Sequence, residues 1–510
     1  MKVIIIGSGI SGLTAAAYLA NEGLDVNIYE QFNEIGGVTT TIHKNGYSWD
    51  IGPLLLEGFA PHEKFGKILA ELGLTDKLKL VNDDRGQSFP DFQVWRPKEY
   101  QGPYWRKEFF KKLFPSESKG LDKYYNFYDQ MMELMYLGNQ LPFTKGIKNF
   151  TLKLRLLIKF QKVRKFKDWS AAQITDFFFK DQKLKAVYLA ILADMVVRPS
   201  QFFGLGVPFF NVETAFDKRI PIHTKHYKLP TYHYIKNGCE QLVNVLADYI
   251  KSKDGKIYTN SKVSKIIIEN NDVKGIMLDN DEKIDADLVL VSGGVLNTFH
   301  NLIGKENLTK ELTSLIENLT YMESVFFVNI GIDFDPSPYQ RKALCYYYGT
   351  YDIEEGIDKC IEGKYHEGKD GFLIYIPSMH SPEMAPQGNH AVTIYTIAPH
   401  ELKQGNWEEK KEEFAEKLLL EAEKFIPDLR THIKTKVVLT PDDFKSRINV
   451  VRHSFGGLAP IIGQIGPSHQ TPINNLWYIG AYSESGGGVT GVAFGARTAI
   501  NMILKEMKQH

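Results

Sequence analysis

The chain has 510 residues, more than a single hydrophobic core serves, so two or three packed domains are expected. Hydrophobic residues make up 43% and charged residues 24%, the balance of a folded chain and not of a disordered one. Lys plus Arg equals Asp plus Glu at 61 each, so bulk charge predicts no nucleic-acid partner.

The N-terminus opens on a continuous β-branched run at residues 2–6, the pattern of a strand buried on both faces of a parallel sheet. Gly7, Gly9 and Gly12 break the run at once, so it reads as strand and turn and not as a signal peptide. Leu13, Ala16, Ala17 and Ala20 then recur at helical spacing, and Gly23 suits the helix end. Residues 26–29 form a second strand that ends in Glu30, eighteen residues beyond Gly12. Strand, glycines, helix, strand and acid in this register predict a dinucleotide-binding Rossmann unit. Gly7 permits the turn, Gly9 lets backbone approach a pyrophosphate, and Gly12 lets helix pack on strand. Ser11 lies in the first helical turn, whose free N–H groups suit phosphate. The Glu30 carboxylate can accept hydrogen bonds from ribose hydroxyls and would repel a 2′-phosphate.

Beyond Glu30 come Gly36-Gly37 and, further on, Gly46-Tyr47-Ser48-Trp49-Asp50-Ile51-Gly52-Pro53. Near the other end stand Asn475-Leu476-Trp477-Tyr478-Ile479-Gly480 and Gly486-Gly487-Gly488-Val489-Thr490-Gly491, with a small-residue helix expected over 492–504. Together these segments resemble the flavin amine oxidase and phytoene desaturase superfamily. The segment Pro377 to His390 and the Gly456-Gly457 and Gln464 spacing resemble the branch holding phytoene desaturase, carotenoid isomerase and retinol saturase. The resemblance implies FAD as cofactor, with Gly36, Gly37, Gly52, Pro53, Gly480, Gly488 and Val489 around it and the Val263 backbone at the adenine.

The implied fold is α/β. A Rossmann-type FAD domain is assembled from 1–75, 231–300 and 441–510, joined to an α+β substrate domain that supplies a helical lid over 76–230 and a sheet over 301–440. A helix bearing Leu242, Val245, Leu246 and Tyr249 on one face, then strands over 263–268, 273–278 and 287–291, fit the second FAD segment. This chain departs from the family at Val38, where an arginine near the pyrophosphate is usual. It also departs at Cys239, at Ser292-Gly293-Gly294, and at His380, where Asp is common.

The lid region is rich in aromatic residues and methionine, including Tyr124, Tyr125, Phe127, Tyr128, Met131 and the Phe177-Phe178-Phe179 run. Such surfaces suit either an ordinary core or a tunnel for a long hydrocarbon. Residues 145–168 carry nine Lys or Arg against Asp168 alone. As a helix this stretch sets Ile147, Phe150, Leu154, Leu157 and Ile158 on one face and Leu152, Leu156, Phe160 and Val163 on another. That pattern suits contact with an anionic membrane surface, while the alternation over 150–160 also fits a strand.

The apolar run at 186–197 is too short to span a bilayer and carries Asp194. Cys239, Cys345 and Cys360 form no CxxC, so a reducing, cytoplasmic location with peripheral membrane contact is expected. His223, His226 and His233 lack a ligand framework, and no metal is expected. No second GxGxxG holds a pyridine nucleotide, which leaves the electron partner open among quinone, oxygen and a protein carrier.

The resemblance implies desaturation, saturation or isomerisation of a long apolar isoprenoid. An amine- or porphyrinogen-type oxidase and a non-enzymatic prenyl-lipid escort of the GDP-dissociation-inhibitor type are the alternatives. Arg452, His453 and Glu484 are the candidate catalytic side chains, since their segments are expected to approach the flavin.

Overall fold

The computed structural model describes residues 1–83, 85–99, 104–212, 224, 226–450 and 456–509. Its N-terminal strand, Lys2–Ile6, lies at the centre of a five-stranded parallel sheet in the order Lys256–Tyr258, Asp25–Tyr29, Lys2–Ile6, Leu288–Ser292, Leu476–Ile479. Val3 and Ile5 face one side and Ile4 and Ile6 the other, the period of two that sorts a strand's side chains. Both sides are covered, which is why the run is apolar throughout. Over the first side pack the helices Ile10–Asn21, Glu240–Lys251 and Val489–Met507. Over the second lies an antiparallel sheet of Val263–Glu269, Asp272–Leu278 and Lys283–Asp285.

Two local readings shift. The C-terminal helix begins at Val489, three residues before the expected start, because Gly488 at φ 79° serves as its N-cap. The Glu240–Lys251 helix buries Leu242, Val243, Leu246, Ala247 and Ile250, while Val245 and Tyr249 stay partly exposed. Being packed from more than one side, it turns its face toward 243 and 247.

The second sheet has seven strands, ordered Ile433–Leu439, Ser324–Ile332, His390–Ala398, Gly371–Tyr375, Leu344–Tyr348, Arg85–Ser88, Gln93–Val94. Its last two strands come from the region expected to be helical lid. One face, with Phe326, Val328 and Ile330, packs on the helix Trp407–Glu423. The other, with Val325, Phe327, Tyr346 and Tyr375, meets the lid helices. There Tyr124, Tyr125, Phe127, Tyr128, Met131, Phe178 and Phe179 form one cluster, with Tyr124 and Tyr188 ring centroids 4.5 Å apart. These rings touch each other as core residues do; Phe177, half exposed, faces outward.

The hairpin Thr41–Lys44 and Tyr47–Asp50 joins the two halves. Trp49 is fully buried, and its indole N–H donates to the Ile330 carbonyl at 3.0 Å.

Candidate functional site

The parallel sheet ends in a cleft lined by Gly7, Gly9, Glu30, Gly37, Val263 and the Ser292–Gly294 turn. Close packing builds its floor. A Cβ on Gly12 would stand 2.1 Å from the Gly7 carbonyl oxygen, so the helix Ile10–Asn21 reaches the strand only with glycine there. Gly9 is different: a Cβ on it would meet nothing within 4 Å. The space beside Gly9 opens at the N-terminus of a helix, where unpaired N–H groups and the positive dipole end favour phosphate.

Glu30 is held by three donors. Ser8 N–H and Oγ–H reach its Oε2 at 2.8 and 2.7 Å, and Phe32 N–H reaches Oε1 at 2.9 Å. A carboxylate fixed in this way keeps lone pairs for diol hydroxyls. Across the cleft Thr298 is buried, and its hydroxyl has no partner. An open cradle, an oriented acid and an orphaned hydroxyl together fit the adenosine diphosphate half of FAD.

Ser11 turns elsewhere, sharing a 2.9 Å hydrogen bond with the Ser292 hydroxyl. Gly480, at φ 106°, lies against the same pair of serines. Gly52 packs so closely that a Cβ would stand 1.9 Å from the Val38 carbonyl oxygen, and Pro53 follows it partly exposed. Gly36 pairs with Gly9 in an isolated bridge and donates its N–H to the Ser8 carbonyl.

The cation missing at position 38 has a counterpart. Arg447, from the helix Pro441–Ile448, lines the cleft with only 10% of its side chain exposed. Its Nε donates to the Gly37 carbonyl at 2.7 Å, Nη2 meets the Glu34 carboxylate at 3.1 Å, and the guanidinium lies 4.6 Å over the Phe32 ring. Sequence reasoning missed it, and the only signal was the vacancy at Val38. Charge-assisted contacts contribute about 1.5–3 kcal/mol. Arg447→Ala is therefore expected to weaken FAD binding roughly 10- to 100-fold and flatten its salt dependence. Titrating apoprotein with FAD checks this, and an unchanged affinity would remove Arg447 from the cofactor cradle.

A second focus lies where the C-terminal helix starts. Gly488 and Val489 begin the helix, and the Thr490 hydroxyl donates to the Glu57 carbonyl at 2.5 Å. Glu57 belongs to the strand Leu56–Glu57, which pairs with the strand Tyr232–Ile235 and not with the parallel sheet. Glu57 is exposed as a residue, yet its carboxyl is surrounded by protein atoms. That enclosure pushes the carboxyl up, against the opposing pull of the Tyr232 hydroxyl and the Lys64 ammonium. Cys239, standing at a family glycine, is buried; its thiol donates to the Thr40 carbonyl, and its N–H donates to Asp50 at 2.8 Å. His380 lies tilted against the Tyr234 ring, centroids 4.7 Å apart, and bonds the Tyr375 hydroxyl at 3.0 Å, and burial holds its imidazole down at about 4.

Glu63, fully buried, accepts the Ala60 N–H at 3.0 Å and the Thr231 hydroxyl at 3.2 Å, fastening this corner. Burial pushes its carboxyl from 4.5 up to about 8. The native state then holds a proton that the unfolded chain has released, so stability falls as pH rises through that window. A carboxyl moved from 4.5 to about 8 accounts for at most roughly 5 kcal/mol of pH-dependent stability. Glu63→Gln is expected to flatten the fall in melting temperature between about pH 5 and 8. Parallel curves for the two proteins would refute the assignment.

Arg452 and His453 lie outside the described residues. Glu484 is exposed and accepts from the Ser468 hydroxyl and the His469 N–H at 3.0 and 2.8 Å, which braces a loop. His223 also lies outside the described residues, His226 is exposed and His233 is buried. Among the described residues no three ligating side chains converge on a metal position.

Comparison with known proteins agrees with this geometry. Prolycopene isomerase 2, chloroplastic, of an Oncidium hybrid cultivar is 25% identical over 518 residues, covering 96% of this chain and 81% of the relative. The 4,4'-diapophytoene desaturase (4,4'-diaponeurosporene-forming) of Staphylococcus aureus is 23% identical over 550 residues, covering both chains fully at 100%. Among solved structures, an oxidoreductase from Methanosarcina mazei superposes with TM-score 0.62 at 18% identity, covering 98% of this chain and 100% of that one. A putrescine oxidase redesigned at its cofactor site gives TM-score 0.63 at 15% identity, covering 99% of each. The model of flavin containing amine oxidoreductase matches residues 10–502. Nearly the whole chain is covered, and the protein belongs to that flavin-containing family.

Proposed function

We propose that the protein is an FAD-dependent oxidoreductase acting on carbon–carbon bonds of a long apolar isoprenoid, of the carotenoid, retinoid or polyprenyl kind. One observation carries the reading: the full-length likeness is to a carotenoid isomerase and a carotenoid desaturase, on a chain that keeps an open cofactor cradle. When bound, FAD supplies the hydride chemistry that amino-acid side chains lack. This chain's residues do the rest. Glu30 and Arg447 orient the nucleotide end, and the helix start at Gly488–Val489 offers a positive dipole end beside Glu57. The sheet face bearing Tyr346, Tyr375 and Phe327 is buried against the lid helices and keeps water out of that side of the protein. A hydrocarbon presents no hydrogen-bonding handle, so shape must position it.

The likeness to putrescine oxidase in particular is one of fold, at 15% identity. The Rab GDI of Plasmodium falciparum, at TM-score 0.51 and 10% identity, likewise shares architecture alone. The deciding experiment is anaerobic incubation of the yellow holoprotein with phytoene, retinol, polyprenols and a diamine, following flavin absorbance and products. Flavin reduction by an isoprenoid, or product formed from one, supports the proposal. Reduction by the diamine alone, or a colourless protein that takes up no FAD, overturns it.

A further inference from the structure

We propose that the helix Gly146–Val163 is a membrane-docking face that lies in the interface of an anionic lipid surface. The stretch that fitted either helix or strand is a helix of 18 residues, of which only Val163 is buried. Leu156 and Phe160 pack inward on the aromatic core, and Leu152 is partly covered. The opposite row is bare: Ile147 is 84% exposed, Phe150 67%, Leu157 57%, Ile158 56% and Leu154 49%. Isolated exposed apolar residues need no explanation, whereas five in register along one helix mark a contact surface.

The charges say what covers it. Arg155 and Lys159 are used by Glu133 of the underlying helix Ser118–Gln140, at 3.7 and 2.7 Å. Among the described residues, Lys148, Lys153, Lys162 and Arg164 have no carboxylate partner. On a chain of zero net charge, this one helix concentrates unpaired cations beside its apolar ridge. A second copy of the chain would bring like charge onto like charge, so isologous pairing is disfavoured. A surface of anionic headgroups over acyl chains satisfies both the cations and the ridge. No described helix is long and apolar enough to cross a membrane, so contact is in the plane. At about 1.5 Å per residue the helix would lie along roughly 27 Å of interface.

The position of this helix fits the site. Phe143, just before it, contacts Phe494, which stands one turn after Thr490 on the C-terminal helix. The docking face thus borders the element that starts at the second focus. At its other end, Lys165 lies 4.6 Å over the half-exposed Phe177 ring and extends the same surface. Docking is a property of this surface and holds whichever substrate is turned over.

The test is sedimentation of holoprotein with phosphatidylcholine vesicles, with and without about one third phosphatidylserine. Binding is expected to the anionic vesicles only and to weaken with salt. The variant Phe150→Ser/Leu157→Ser should lose at least about tenfold in bound fraction, and Lys148→Ala/Lys153→Ala/Lys162→Ala should lose the phosphatidylserine preference. Both variants alter exposed side chains and should keep wild-type flavin content and melting. No binding to either vesicle, or binding indifferent to both variants, overturns the proposal. So does a dimer in solution that the Phe150→Ser/Leu157→Ser variant dissolves.

Discussion

Gly9→Val is expected to give a folded protein that retains no FAD. The backbone at Gly9 has φ −63° and ψ 172°, an extended conformation open to any residue, and a Cβ there meets nothing within 4 Å. The apoprotein therefore loses only the difference between glycine and valine at a helix N-cap, about 1 kcal/mol. The branched side chain fills the space a pyrophosphate needs and covers the helix N–H groups. Gly12→Val provides the contrast. There the Cβ would stand 2.1 Å from a backbone carbonyl, so helix and strand must separate and both fold and cofactor are lost. Thermal denaturation of apoprotein, read beside the visible spectrum, separates the two. Yellow Gly9→Val protein would show that the cofactor does not pass this residue.

Trp49→Ala is expected to leave a folded protein with a large loss of stability. The ring is fully buried, stacks on Tyr47 at 5.9 Å and bonds the Ile330 backbone. Removing a buried tryptophan costs about 3–5 kcal/mol through lost contacts and the cavity left behind. The effect should not stay local. The hairpin holding Trp49 continues into Asp50, which accepts from the Thr41 hydroxyl and the Cys239 N–H at 2.7 and 2.8 Å. Loosening it should release FAD at lower denaturant than wild type, while Trp49→Phe keeps most of the volume and costs about 1–2 kcal/mol. A denaturation midpoint unchanged by Trp49→Ala would refute the hairpin's joining role.

What could be read in advance was local. Strand, turn, helix and terminal acid over residues 2–30 are set by neighbours in the chain, and those elements stand at 2–6, 10–21 and 25–29. The second segment was legible for the same reason, with strands at 263–269, 272–278 and 288–292. Arg447 was not, since a guanidinium reaching the Gly37 carbonyl from 410 positions away leaves no spacing to recognise. Nor was the pairing of Glu57 with Tyr232, which rests on a register between two strands far apart in sequence. The aromatic lid residues could not be assigned, because a ring's role as core or cavity wall depends on what packs around it. The 150–160 alternation was ambiguous because leucine and lysine interleave at a spacing that fits both periods; packing against the Ser118–Gln140 helix decides it.

The order of strands in the parallel sheet bears on how the protein is made. Residues 2–6, translated before the rest of the sheet, form its centre, yet one flank waits for residues 288–292 and the edge for 476–479. At about 5–20 residues per second, that edge is translated roughly half a minute to a minute and a half after the centre. Through that interval the nascent chain holds an apolar strand with an unpaired side, the kind of species that recruits chaperones or aggregates. Cofactor loading is then a post-translational event, and scarcity of riboflavin should reduce the yield of soluble protein as well as its colour.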